Sequence, residues 1–162
     1  MSRQNEGLIN GFYLVLLGVT LGSTLALGAF VAPVIFKASL FLEHLALDTY
    51  ESGRLMSEIF RRYAHLLVIS LAFIALYEGW RIFQGERKVV LIAAGAASLL
   101  AGGAFAFYYT PEILSLQTQG IEATLTAHFE TVHRQAEAAF KVQSFALGVL
   151  LFLRVLRLQR LY

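Results

Sequence analysis

The sequence has no cysteine, which excludes disulfides, thiolate chemistry and cysteine-ligated metals. Charge is also scarce: 15% of the 162 residues are charged and the net charge is only +2. The basic residues sit at the ends of apolar stretches and form no continuous patch, so nucleic-acid binding is not expected. There is no glycine-rich phosphate loop, no His-Glu-x-x-His and no Gly-x-Ser-x-Gly elbow, so soluble-type catalysis has no visible apparatus and a non-enzymatic protein is expected. Mid-depth carboxylates, lysines and arginines are missing from the first three apolar runs, which disfavours a proton-driven transporter.

What the chain has is apolar residues, 57% of the total. No Asp, Glu, Lys, Arg or His falls between Leu8 and Phe36, and an uncharged run beyond about 18 residues is the signature of a membrane-crossing helix. Four spans are expected, at about 9–36, 64–84, 89–110 and 138–157. The fold class is therefore all-α, a single membrane domain over 1–162 built as a four-helix bundle. Amphipathic extramembrane segments should cover about 39–62, broken near Thr49–Gly53, and about 121–137, running straight into the fourth span. Gly85 should end the second span, and Pro111 should close the third, with a loop following to Gly120. Along the first span Gly11, Gly18, Gly22, Ala26, Ala29 and Pro33 fall on one helical face, which predicts a groove where other helices approach closely. Gly95 and Gly102 give the third span similar positions.

Four spans put both termini on one side. Arg3, Arg81, Arg87, Lys88, Arg154, Arg157 and Arg160 would lie there in dense clusters, against Lys37, Arg54, Arg61, Arg62, Arg134 and Lys141 on longer connections, so both termini are expected in the cytoplasm of a bacterial inner membrane. The outer ends then collect Glu58, His65, Glu112, Glu130, His133 and Glu137. His65 and His133 stand at the outer ends of two spans, and with Glu130 and Glu137 they are the candidate ligands for haem or a divalent metal. Against that stands the structural reading, in which such residues are interfacial anchors and Glu130–Arg134 and Glu137–Lys141 are i,i+4 helix pairs. His44 and His128 are expected on solvated surface, and Glu78 is expected to pair with Arg81.

In the order and spacing of its short motifs the chain resembles the bacterial proteins grouped as domain of unknown function 4149, related to the eukaryotic transmembrane protein 205 family. These motifs are Gly18, Gly22 and Gly28 leading to Val31-Ala32-Pro33-Val34-Ile35-Phe36, then Ser52-Gly53-Arg54 and Ile59-Phe60-Arg61-Arg62-Tyr63, then Tyr108-Tyr109-Thr110-Pro111-Glu112, and Phe129 with Val132-His133-Arg134. The resemblance implies a four-span membrane protein without an assigned reaction, and the eukaryotic relatives' link to platinum-drug resistance points toward metal or drug handling. Together these readings predict an integral membrane protein in contact with the lipid bilayer, oligomeric through its small-residue faces or paired with another membrane protein, whose polar outer end binds a partner or small ligand.

Overall fold

The computed structural model describes residues 3–42 and 47–158. The expectations for His44 and Arg160 lie outside the described residues. Within them the chain is helical, with no strand, and four long helices are apolar enough to cross a membrane: Asn5–Phe36, Thr49–Phe83, Val89–Thr118 and Ala127–Arg157. The protein is an integral membrane protein of the helical class.

The first long helix is α1 (Arg3–Ala26) joined through a π turn at Leu27–Val31 to α2 (Ala32–Phe36). A short 3₁₀ turn follows at Ala38–Leu40. Helix α3 (Thr49–Phe83) starts where Asp48 accepts a hydrogen bond from the Glu51 amide and the Glu51 carboxylate caps Asp48 in return. That capping box corrects the expected break at Thr49–Gly53, because the reciprocal caps satisfy the first-turn amides and make this stretch the first turn of a continuous helix. The helix stops at Phe83, and Gly85 takes a φ of 90°, open to glycine, in the tight turn to α4 (Val89–Ala104).

Pro111 does not end the third span, which corrects another expectation. A second π turn at Phe105–Tyr109 widens the backbone before the proline, and the chain runs on as α5 (Thr110–Thr118). A widened turn tolerates the missing proline N–H, and the Phe105 carbonyl accepts both from the Thr110 amide and from Thr110 Oγ1 at 2.8 Å. Gly120, with a φ of 103°, then turns the chain into α6 (Ile121–Thr124). From Ala127 the amphipathic stretch runs straight on into the fourth span in one helix, and only its first turn, α6, is set apart. Thr126 accepts from the Phe129 amide at 3.2 Å, capping a separate start for α7 (Ala127–Leu158).

Helices α1 and α4 each pack mainly against α3 and α7, so α1 lies diagonally opposite α4, and α3 opposite α7. The two halves of the chain follow one plan. The interval from Leu27 to Phe105, where the π turns begin, equals that from Pro33 to Pro111, from Asp48 to Thr126 at the caps, and from Thr20 to Ser98 in the core. On α3 the inward positions Met56, Leu67, Leu71, Ile74 and Glu78 recur on α7 at a single interval as Val132, Gln143, Leu147, Leu150 and Arg154. A parallel repeat about an axis along the bundle has this form.

The core is a mixed one. Leu17, Leu67, Ile74, Leu147 and Leu150 are fully buried, with Phe60, Phe105 and Phe140 edge-on or tilted at centroid distances of 5.3–5.4 Å toward the far end. Each helix also buries a polar side chain: Thr20, Ser70, Ser98 and Gln143. Thr20 and Ser70 share a 2.7 Å hydrogen bond, and Thr24 meets the Tyr63 hydroxyl at 2.5 Å. The Thr20, Thr24 and Ser70 hydroxyls also donate to carbonyls one turn back, so these bonds tie helices together and give the buried Tyr63 hydroxyl its partner.

Candidate functional site

The far end of the bundle, away from the termini, holds the polar cluster expected from sequence. Thr49–Arg62 carries its charges there, and Glu58 accepts from Arg61 at 2.7 and 2.8 Å and from Arg62 at 2.9 Å. Those guanidinium hydrogen bonds, Arg61 first and Arg62 second, hold the Glu58 carboxyl down at about 2. Tyr50 donates to the Gln117 carbonyl at 3.0 Å, and a side chain at Gly53 would stand 3.7 Å from Gln117 Nε2, so α3 and α5 meet closely. Beside this contact runs a groove of about 530 Å³ lined by Glu51, Arg54, Leu55, Glu58, Leu114 and Gln117 among others. Its walls are leucines and its rim carries two carboxylates and a guanidinium, which suits a ligand with an apolar body and a polar head.

The sequence-picked ligands are placed separately from this groove. His65 is exposed on α3; His133 is exposed on α7 with its ring stacked on Phe129 at 6.0 Å. Glu137 binds Lys141 at 2.6 Å, and Glu130 faces Arg134 at 3.9 Å. Among the described residues no three His, Cys, Asp or Glu side chains gather to hold a metal ion. His128 lies on the solvated surface, as expected, and there reaches Glu112 at 3.1 Å.

The small-residue stripe of the first helix is placed away from the bundle's contacts. Asn10, Tyr13, Leu17, Thr20 and Thr24 form the buried face, while side chains added at Gly11, Gly18 or Gly22 would meet nothing within 4 Å. Ala26 is half-buried, and Ala29 and Pro33 are exposed. In the third span the glycines do meet neighbours. A methyl at Gly95 would lie 3.4 Å from Glu78 Cγ, and one at Gly102 would lie 2.9 Å from both Gln143 Oε1 and Leu71 Cδ2.

The opposite end contains what sequence reasoning missed. Glu78, 6% exposed, sits where all four long helices meet: Tyr13 of α1 donates to it at 2.8 Å, Gly95 of α4 lies against it, and Arg154 of α7, 4% exposed, donates from both Nε and Nη2. Arg81 is not its partner, in contrast to the expectation. Arg81 instead donates to Glu86 at 2.7 Å, because Glu86 in the turn after Gly85 stands over it; Arg154 Nη1 reaches the same carboxylate at 2.8 Å and Arg157 adds a further contact. Tyr77 donates to Asn10 at 2.7 Å, stacks on Tyr13 at 3.8 Å and lies under the Arg154 guanidinium at 5.1 Å. Three guanidiniums thus share two carboxylates. The only sequence signal was an arginine set among leucines in Leu151-Phe152-Leu153-Arg154-Val155-Leu156, with a glutamate equally isolated in Tyr77-Glu78.

A bundle of four membrane-length helices with polar side chains buried along its centre defines a helical integral membrane protein. Residues 15–122 match the family described as domain of unknown function (DUF4149), more than half of the chain, and the protein belongs to that family. The match begins within α1, ends within α6 and leaves α7 outside it. No curated protein and no solved structure matches the chain.

Proposed function

We propose that the protein is a non-enzymatic membrane protein of the bacterial inner membrane, both termini cytoplasmic, whose function runs through the groove between α3 and α5. The occupant is a small ligand with an apolar body and a polar head. The observation that carries this is the groove itself: about 530 Å³, within the size range of small-molecule sites, built on two helices held together by the Tyr50–Gln117 bond. Clusters at Arg81, Arg87, Lys88 and Arg157 beside the apolar runs support the orientation. The open face at Gly11, Gly18 and Gly22 supports docking of a second copy. A metal or haem on His65 and His133 is the alternative, and with no third ligand grouped beside them among the described residues the groove is preferred.

Native mass spectrometry on protein released from nanodiscs tests the reading. The wild type should retain a small-molecule adduct, which Leu55→Trp and Leu114→Trp should remove by filling the groove. Identical adduct patterns in all three proteins would overturn it.

A further inference from the structure

A second groove lies at the terminal end, on the outside of the bundle between the start of α4 and the end of α7. It holds about 400 Å³ and is lined by Lys88, Val90, Leu91, Leu153, Leu156 and Arg157, together with Val89. Two features set it apart. Its walls are entirely aliphatic, and Val90 and Leu156 keep large exposed areas there, 59% and 38%, as surface facing hydrocarbon does. Its two polar residues are both cations. Arg157 is shared with Glu86, but Lys88 and the neighbouring Arg87 make no ion pair among the described residues, and the adjoining network of Arg81, Arg154 and Arg157 against Glu78 and Glu86 already carries an excess positive charge. Glu78 and Glu86 are both taken up in that network, so among the described residues no carboxylate pairs with Lys88 or Arg87 at the rim.

We propose that this groove is a binding site for an anionic glycerophospholipid, with the phosphate held between Lys88 and Arg157 and one acyl chain laid along Val90, Leu91, Leu153 and Leu156. A phosphate supplies the missing negative charge, and the aliphatic walls match an acyl chain by shape and polarity, which a soluble anion does not use. Basic pockets between membrane helices recognise lipid headgroups on this principle. The site is independent of the α3–α5 groove, at the opposite end of the bundle, and stands or falls without it.

The test is titration of detergent-purified full-length protein with phosphatidylglycerol, phosphatidylcholine and inorganic phosphate, read by native mass spectrometry and by the unfolding temperature. Phosphatidylglycerol should bind as a discrete adduct and raise the unfolding temperature, while the other two should not. Lys88→Gln should weaken its binding about fivefold, as loss of one cation near an anionic headgroup predicts, and Lys88→Arg should keep it. Val90→Trp, at an exposed position where folding is undisturbed, should block the adduct by filling the groove. Equal binding of phosphatidylcholine, an equal effect of inorganic phosphate alone, or unchanged affinity in both Lys88→Gln and Val90→Trp would each overturn the lipid site.

Discussion

At the scale of single residues, stability concentrates in Glu78 and Arg154. Both are nearly fully buried, both oxygens of Glu78 are engaged, and their charges have no water to return to if one partner is lost. Arg154→Met should therefore destabilise the protein by about 3–5 kcal/mol, because it strands a buried carboxylate, whereas the double change Glu78→Met with Arg154→Met should recover most of that loss. Thermal unfolding in detergent checks this, and a double variant as weak as the single one would mean the pair is needed for more than mutual neutralisation. Gln143 presents the opposite case. It is fully buried and neither amide atom has a hydrogen-bond partner among the described residues, so Gln143→Leu should stabilise by about 1–3 kcal/mol in the same assay. The sequence showed Glu78 only beside its own helix neighbours, and Arg81 at i+3 looked like the partner. A diagonal contact between helices far apart in the chain has no local spacing to betray it, which is why the buried network was not legible while Glu137–Lys141 was.

At the scale of elements, the helices themselves were legible because length and uncharged composition suffice to find a span. What failed was punctuation. Pro111 reads as a stop because an α-helical proline removes a hydrogen bond and clashes one turn back, but the π turn before it absorbs both effects, and Pro33 repeats the device after Leu27–Val31. Asp48 with Glu51 was a readable capping box that the Thr49–Gly53 composition obscured. Glycine spacing also identified a face without identifying its use. The stripe at Gly11, Gly18 and Gly22 borders open space, while the single position Gly102 lies against Gln143 and Leu71. Gly18→Ala should leave the unfolding temperature of the monomer unchanged or raised, since alanine removes a helix-interior glycine at no steric cost. Gly102→Ala should lower stability by about 1–3 kcal/mol through overpacking, and a tolerant Gly102→Ala would show that Gln143 and Leu71 give way to a methyl that would otherwise lie 2.9 Å from each.

At the scale of the whole molecule, the repeated plan explains why polar groups line the centre. When a span pair is repeated about an axis along the bundle, equivalent positions of α3 and α7 face each other across that axis, and the pair Glu78 and Arg154 turns what would be a like-charge clash into an ion pair. Matched positions share burial and rarely residue type, so the repeat is carried by intervals and turn geometry and is hard to read from letters alone. The same plan puts the two grooves at opposite ends of four membrane-length helices, so the four-span arrangement predicts the α3–α5 groove and the α3–α4 turn on opposite faces of the bilayer. Because the chain has no cysteine, single introduced thiols report their side without background. Arg54→Cys, exposed beside the first groove, should react with a membrane-impermeant maleimide on intact inner-membrane spheroplasts, while Gln84→Cys, exposed in the turn, should react only after permeabilisation. The reverse pattern would invert the orientation and move the cationic groove to the opposite leaflet. Labelling of both residues before permeabilisation would break the four-span arrangement itself, since the helix joining them, Thr49–Phe83, would then not cross the bilayer.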